Sequence, residues 1–402
     1  MNKTPPLRIT RREFVGGALT TAGVLTGAPA LLGGESSGAR RNQTISATAP
    51  DAVTRPPLRG IYGGVPQELL DTGTRLRDFG VDAVWLGAGS FTPERVALLR
   101  AEGMKVYAEF NTLHVADYLK EHPDAAPIGV DGQVSPPPQG WQGICPTHEA
   151  YRRFRMDAFR KLLQDFAIDG VWLDYHHGHA SWERADPDMP DTCFCERCLR
   201  RFQEATAIRV PDAPASQRAA LLLATHRKAW VRWRLDVFTD WVREFRAIVD
   251  ATRPSALLGT FHNAWSDDDA GGARLEKLAI DLKAQAAYVD VFSPMVYHAR
   301  FGHAGDVAWI SRQVNWLGEY VGVQGAPGER HRIWPIVQIS DWGEPVPVQQ
   351  VAEVLERGAR RPASGVIVFA WSGLRKQPEK IDAIGRAFRA LPVRAPAPDR
   401  LR

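Results

Sequence analysis

The sequence predicts an α/β fold, namely a (β/α)8 TIM barrel with two enlarged βα loops. Three observations support this fold class. Short apolar runs alternate with helical patterns over roughly 340 residues, as expected for eight βα units. Several of these runs end in polar and aromatic residues. The first run leads into Gly60-Ile61-Tyr62-Gly63-Gly64, which is not the glycine-rich phosphate turn that a doubly wound sheet would need.

The predicted elements cover the chain from residue 58 to residue 391. Strands are predicted at residues 58–65, 81–86, 104–110, 170–175, 256–261, 289–297, 333–339 and 365–370. Helices are predicted at residues 66–79, 148–166, 217–252 and 379–391, and another begins at Thr92, an N-cap followed by Pro93. The two long irregular segments, 111–146 and 176–216, are the enlarged loops, and loops of this length are usually functional.

The amino terminus is predicted to be an export signal. Residues 1–30 combine scattered basic residues with an uncharged stretch and a small-residue end at Ala28-Pro29-Ala30. Arg11-Arg12-Glu13-Phe14 resembles the twin-arginine signal, so the partner would be the twin-arginine export machinery and the mature protein would be periplasmic or extracellular. A disordered basic tail or a membrane anchor is the alternative. The stretch is too rich in Gly, Ala and Thr to span a membrane well.

The remaining segments are a linker at residues 31–56, a barrel domain at residues 57–391 and a loose tail at residues 392–402. The leader carries +3 of the formal +4 charge, which leaves the rest of the chain near neutral. A near-neutral body gives no electrostatic footprint for nucleic acid. We therefore expect no nucleic-acid partner and no stable membrane span in the mature chain.

The strongest candidate for an active-site residue is Asp174, which ends the apolar run Gly170-Val171-Trp172-Leu173. In a barrel of parallel strands, the residues at the carboxyl ends of the strands carry the chemistry. Further carboxylates at predicted strand ends are Glu109, Asp341 and Glu344, and Glu183 lies in the second long loop. Any of these acids has an alternative role, because it can cap a helix or pair with an arginine.

Aromatic, amide and imidazole side chains accompany these carboxylates at the predicted strand ends. Rings offer flat faces to the C–H surfaces of sugars, and amides and imidazoles bind hydroxyl groups. Cleavage of a glycosidic bond requires two carboxyl groups, one ionised and one able to donate a proton. The candidate substrate-binding residues are Tyr62, Asn111, Tyr175, His176, His262, Asn263, Tyr297, His298 and Trp371.

The four cysteines, Cys145, Cys193, Cys195 and Cys198, favour a metal site. Three of them form Cys-x-Cys-x-x-Cys, and two disulfides would force one strained local pairing among them. Four thiolates around one structural Zn²⁺ satisfy tetrahedral geometry more easily. Two disulfides remain the alternative for an exported protein.

The cysteine pattern also carries a resemblance to a known family. Cys145 together with Cys193-Phe194-Cys195-Glu196-Arg197-Cys198 resembles the four-cysteine zinc cluster of glycoside hydrolase family 42 β-galactosidases. The strand ending at Asp174 and the segment Ser293-Pro294-Met295-Val296-Tyr297 resemble bacterial TIM-barrel glycoside hydrolases. The resemblance implies a carbohydrate substrate. Family 42 ends its fourth strand in Asn-Glu, whereas this chain has Leu173-Asp174, so the family's catalytic residue does not transfer to this position.

Three interpretations remain open at this point. The first is an exported glycoside hydrolase acting on an oligo- or polysaccharide through a carboxylate pair that includes Asp174. The second is a non-catalytic carbohydrate-binding barrel. The third is a metal-dependent hydrolase that uses His176, His177 or His298. A second carboxyl group facing Asp174 would favour the first interpretation.

Overall fold

The computed structural model describes residues 57–391, and the predicted signal, linker and tail lie outside the described residues. The strands form a closed parallel barrel with helices around it, which confirms the predicted (β/α)8 TIM barrel. The strands are β1 (Leu58–Tyr62), β2 (Ala83–Gly87), β3 (Lys105–Asn111), β4 (Gly170–Asp174), β5 (Leu257–Asn263), β6 (Val291–Val296), β7 (Arg332–Ile333), β8 (Ile336–Gln338) and β9 (Gly365–Phe369).

The nine strands occupy eight positions, because β7 and β8 both pair with β6. Pro335 lies between them and has no N–H to donate to the ladder, so the strand predicted at residues 333–339 is interrupted there. Pairing of β5 with β6 and of β1 with β9 closes the ring. All strands are parallel, so their carboxyl ends meet at one mouth.

Fourteen helices surround the barrel within the described residues. They are α1 (Gln67–Asp71), α2 (Leu76–Phe79), α3 (Pro93–Ala101), α4 (Tyr118–Glu121), α5 (Glu149–Asp165), α6 (Glu196–Thr206), α7 (Ala215–Thr225), α8 (Arg227–Thr252), α9 (Ala273–Glu276), α10 (Leu282–Gln285), α11 (Ala308–Val321), α12 (Val351–Ala359), α13 (Trp371–Leu374) and α14 (Pro378–Ala390). In residues 57–391 no helix combines the length and the apolar character that a membrane crossing requires.

The helix ends follow local sequence signals. Thr92 caps α3 as predicted, since its hydroxyl accepts a hydrogen bond from the Arg95 backbone N–H at 3.3 Å. Two helices predicted as continuous are broken. Gly73, with a left-handed φ of 74°, separates α1 from α2, and His226 separates α7 from α8.

Aromatic rings fill the lower barrel interior. Trp85 lies 4.6 Å from Tyr107 between ring centroids, and Trp172 stacks on Trp334 at 5.7 Å. The Trp172 indole N–H donates to the Ser293 hydroxyl at 2.9 Å, which shows that both side chains point inward. These large rings fit because Gly259, on the strand next to Trp172, has no side chain.

Replacement of Gly259 by alanine should therefore destabilise the barrel. The added Cβ would overlap the Trp172 indole, which is itself packed on every side. We expect the free energy of unfolding to fall by about 1–3 kcal/mol, as for other overpacked cores. Urea denaturation measures this change. The matched control is Gly89→Ala, where the added methyl group meets open space; equal midpoints for the two variants would contradict the proposed packing.

Candidate active site

Glu109 and Asp174 point into the mouth of the barrel from adjacent strands. Tyr107 and Trp172 pack together inside the barrel at 4.7 Å, and side chains two residues further along a strand point to the same side. Glu109 and Asp174 are that far along β3 and β4. In the strand register Asn111 pairs with Asp174. The Cα atoms of the two carboxylates are therefore roughly 8 Å apart, from the usual strand spacing and rise.

Both carboxyl groups are buried and held by hydrogen bonds. Glu109 is 4% exposed, and the Tyr62 hydroxyl donates to its Oε2 at 3.3 Å. Asp174 is 1% exposed, and its Oδ1 accepts a hydrogen bond from the Tyr175 backbone N–H at 2.9 Å. The Arg155 guanidinium, on α5, interacts electrostatically with Glu109, while burial lowers the pKa of Arg155. The two carboxyl groups thus lie in a buried region of low dielectric constant, where hydrogen-bond donors hold them in place.

The chain turns sharply after Asp174. Tyr175 has a left-handed φ of 51°, a conformation that costs energy for a residue with a side chain. The Asp174 carbonyl anchors the turn by accepting hydrogen bonds from both the N–H and the hydroxyl of Thr112, each at 2.9 Å. The turn brings the Tyr175 ring to 5.1 Å from His114 and 5.5 Å from Trp141.

These rings form one side of a narrow, partly open cleft. We call it the aromatic cleft, and its main lining residues are His114, Trp141, Tyr175, His177, Trp182 and Glu183. The two enlarged loops, which follow β3 and β4, supply all of them. Flat aromatic faces beside one carboxylate suit a sugar ring, whose C–H faces stack on such rings.

His114, Trp141 and Trp182 were not among the predicted site residues. They lie in irregular segments, which have no hydrophobic period to show which side chain faces inward. The only sequence signal was their position in loops longer than connections require. Glu183, predicted as a loop acid within reach, does line the cleft.

The three predicted substrate-binding histidines are not among the lining residues of the aromatic cleft. His176 contacts the Phe238 carbonyl through Nε2 at 2.8 Å, and His262 contacts the Asn263 carbonyl through Nδ1 at 2.7 Å. Burial lowers the pKa of each ring to about 4. His262 alternates with inward-facing neighbours and so points outward. His298 lies beside Gln350, and burial lowers its pKa as well.

Trp371 is also outside the cleft. Its ring is fully buried against Phe79 at 6.1 Å, and its indole N–H donates to Glu68 Oε2 at 2.8 Å. A sugar has no access to this face. Trp371 instead packs between the barrel and the first two helices.

The remaining predicted binding residues surround the mouth of the barrel. Tyr297 packs on Phe369 at 4.6 Å. Asn111 exchanges hydrogen bonds with the backbone of His114, at 2.6 and 3.0 Å, and thereby supports the cleft wall. Asn263 is fully buried, and its amide has no hydrogen-bond partner among the described residues. A buried amide without partners is costly, so a ligand or water in the mouth would satisfy it.

Asp341 and Glu344 are exposed, whereas Asp174 is buried. Asp341 Oδ1 accepts hydrogen bonds from Lys380 at 2.6 Å and from the Val346 N–H at 2.9 Å, and Oδ2 accepts from Gln377 at 2.9 Å. These contacts hold the carboxylate against α14. Glu344 is exposed at the rim. Glu109 is therefore better placed than either as the second carboxyl group.

Cys145, Cys193, Cys195 and Cys198 come together between the two enlarged loops. All four thiols are free, and one potential ligand atom from each lies within 4.8 Å of the others. The Cys145 sulfur is 3.6 Å from those of Cys195 and Cys198. A tetrahedral Zn²⁺ with Zn–S bonds of about 2.3 Å requires sulfur separations of about 3.8 Å, so the cluster fits such an ion.

The surroundings of the cysteines suit thiolates. The Thr147 hydroxyl lies 3.3 Å from the Cys145 sulfur and 3.1 Å from that of Cys198, and the Ile128 N–H donates to Cys193. Hydrogen bonds from Cys193 and the other thiols lower the pKa of Cys145. Among the described residues this is the one group of at least three His, Cys, Asp or Glu side chains that could hold a metal. The histidines after β4 do not form such a group.

The comparisons with known proteins concern the fold. No protein-family profile and no curated protein matches the chain. Among solved structures, the PgaB (BpsB) glycoside hydrolase domain from Bordetella bronchiseptica has a TM-score of 0.60 and 15% identity, over 83% of this chain and 99% of that domain. The β-galactosidase of the psychrophilic Marinomonas ef1 has a TM-score of 0.58 and 14% identity, over 83% of this chain and 59% of that enzyme.

A third match is the family 42 β-galactosidase Gan42B of G. stearothermophilus, with a TM-score of 0.58 and 14% identity for its catalytic mutant. This alignment covers 84% of the chain and 56% of the enzyme, so the chain spans little more than half of these β-galactosidases. Identity at this level shows the fold alone. The chain therefore has the TIM-barrel fold that these glycoside hydrolases share.

Proposed function

We propose that the protein is a glycoside hydrolase acting on an oligo- or polysaccharide, with Asp174 and Glu109 as its carboxylate pair. The observation that carries this proposal is the position of two buried, inward-facing carboxyl groups at the mouth where TIM barrels carry their chemistry. Tyr175, the residue after Asp174, lines the aromatic cleft. Hydrolysis of a glycosidic bond requires such a pair. The fold shared with glycoside hydrolases agrees with it.

Asp174 is the candidate nucleophile. The Tyr175 N–H that donates to its Oδ1 favours the ionised form. Glu109 then supplies the second role, with the Tyr62 hydroxyl orienting its carboxyl group. Carboxyl groups about 5–5.5 Å apart produce retention of the anomeric configuration, and a separation of about 6.5–9.5 Å produces inversion. The anomer released first, followed by NMR, distinguishes these two mechanisms.

A screen of p-nitrophenyl glycosides and unmodified oligosaccharides, with the wild type and Asp174→Asn side by side, tests the proposal. We expect hydrolysis of at least one sugar class by the wild type alone. Binding without turnover by both proteins would instead support a non-catalytic carbohydrate-binding barrel. If no sugar in the screen is bound and none is hydrolysed, a carbohydrate role is rejected.

We further propose that the four cysteines bind one structural Zn²⁺. A closed shell of four thiolates leaves no position for a reacting water, so the ion would tie the two enlarged loops together and take no part in hydrolysis. Such a site would carry an excess negative charge. Arg197 and Arg234 interact electrostatically with the cysteines and would offset this charge.

We also propose export through the twin-arginine route, because the leader at residues 1–30 contains Arg11-Arg12-Glu13-Phe14. This route carries folded proteins, so the metal would be loaded before export. Intact-mass measurement of the exported protein should give a mature chain that begins near residue 31. Combined replacement of Arg11 and Arg12 by lysine should stop export, and unchanged export of that variant would exclude this route.

A further inference from the structure

One buried histidine, His179, lies between the aromatic cleft and the cysteine cluster. It is 5% exposed and lines the cleft on one side. On the other side it lines a small crevice whose walls include Cys193 and Cys198. His179 belongs to the loop after β4, whereas the wall opposite it belongs to the loop after β3. Its ring is therefore a contact between the two enlarged loops.

Both ring nitrogens of His179 hold the same bend of the neighbouring loop. The Gly143 backbone N–H donates to Nδ1 at 3.0 Å, and Nε2 lies 3.0 Å from the Pro136 carbonyl oxygen. Pro136 and Gly143 flank the segment that carries Trp141, so one imidazole closes the two ends of that bend. The approach is close, since a Cβ on Gly143 would lie 2.9 Å from Nδ1.

The two partners also determine the protonation state of the ring. Nδ1 accepts a hydrogen from Gly143, so it carries no proton, and Nε2–H donates to the Pro136 carbonyl. The bridge therefore requires neutral imidazole. Burial lowers the pKa of His179 from its ordinary value, which agrees with this requirement.

We propose that His179 is a positioning residue that fixes the Trp141 face of the aromatic cleft. The Trp141 ring packs at a tilt against His114, with ring centroids 5.0 Å apart, and against Tyr175 at 5.5 Å, so its placement determines the shape of the wall. In this proposal His179 holds the wall in place and takes no part in the chemical step. Loss of its ring should loosen the bend and weaken substrate binding while leaving the carboxylate pair in place. The kinetic part of this argument rests on the proposed function.

Hydrogen–deuterium exchange tests the structural part without any substrate. His179→Leu removes both hydrogen bonds, whereas His179→Asn keeps an acceptor, Oδ1, where Nδ1 stood. We expect amide exchange in the segment 136–145, where residues 139–145 carry the N–H groups, to accelerate at least about tenfold in His179→Leu. The acceleration should be smaller in His179→Asn, because that variant loses one of the two buried hydrogen bonds and keeps the other. His331→Leu is the matched control, since it removes an imidazole contact to the Val289 carbonyl elsewhere on the barrel.

Steady-state kinetics tests the functional part, using the p-nitrophenyl glycoside or oligosaccharide that the wild type hydrolyses. His179→Leu should raise KM about tenfold and change kcat less than about threefold, with partial recovery in His179→Asn. Three results would overturn the proposal: unchanged exchange in residues 136–145, accelerated exchange spread evenly over the whole domain, or a fall in kcat at constant KM. If the wild type hydrolyses nothing, the glycosidase proposal fails, and the exchange experiment still decides the role of His179.

Discussion

Asp174→Asn should lower kcat at least ~10²–10⁴-fold on any substrate that the wild type hydrolyses. Without this carboxylate the transition state loses its main stabilising group, and the activation barrier rises. Asparagine has nearly the same shape, and its Oδ1 can keep the hydrogen bond from the Tyr175 N–H. The fold and the affinity for substrate should therefore persist. Initial rates together with circular dichroism test this expectation, and normal turnover by a folded Asp174→Asn protein would reject the assignment.

Two further variants distinguish between candidates for the second carboxyl group. Glu109→Gln should lose activity on a similar scale, since Glu109 faces the mouth from the strand next to Asp174. Asp341→Asn should affect mainly stability, because that carboxylate is paired with Lys380 against α14. A large loss of kcat in a stably folded Asp341→Asn protein, with Glu109→Gln still active, would reverse the two assignments.

Purified protein should contain one Zn²⁺ per chain, and Cys145→Ser should lose it. An ion present at 100 times its dissociation constant contributes about 2.7 kcal/mol to the folded state. In a domain that spans residues 57–391 each kcal/mol shifts Tm by about 1–2 °C, so loss of the ion should lower Tm by roughly 3–5 °C. Elemental analysis and thermal melting measure the two effects.

Thr147→Val provides a graded comparison for the metal site. It removes a hydroxyl that contacts two of the sulfurs but leaves all four ligands. We expect the ion to be retained with an affinity about 10–100-fold lower, as for other partners of metal ligands. Protein with no metal and no titratable thiols would show that the cysteines form disulfides instead.

The barrel could be predicted from the sequence because its signals are periodic. Alternating apolar runs and helical patterns locate strands even where their ends shift by a few residues. The breaks at Gly73 and Pro335 were harder to predict. Each break depends on the backbone of one residue, namely the left-handed φ of Gly73 and the missing N–H of Pro335. The flanking apolar pattern continues across both breaks.

The candidate site could be predicted only in part. Position along the chain identifies which residues end a strand, but the side to which each points depends on a register that the sequence leaves open. His262 and Asn263 are neighbours on β5, yet only Asn263 faces the mouth. Because side chains alternate along β4, Asp174 points to the same inward side as Trp172. Trp141 and Trp182 lie in loops, where tertiary contacts alone determine the direction of a ring.

The rings packed below the mouth also give the protein an optical signature. Trp85 lies 5.1 Å from Trp172, which in turn lies 5.7 Å from Trp334, and the three residues come from strands far apart in the chain. Indoles at such separations couple their electronic transitions and produce an exciton band in circular dichroism. Each pair contributes its own couplet, so the full band requires β2, β4 and the β7–β8 position to be in place together. Its appearance during refolding therefore reports closure of the barrel, whereas helical ellipticity reports only local order.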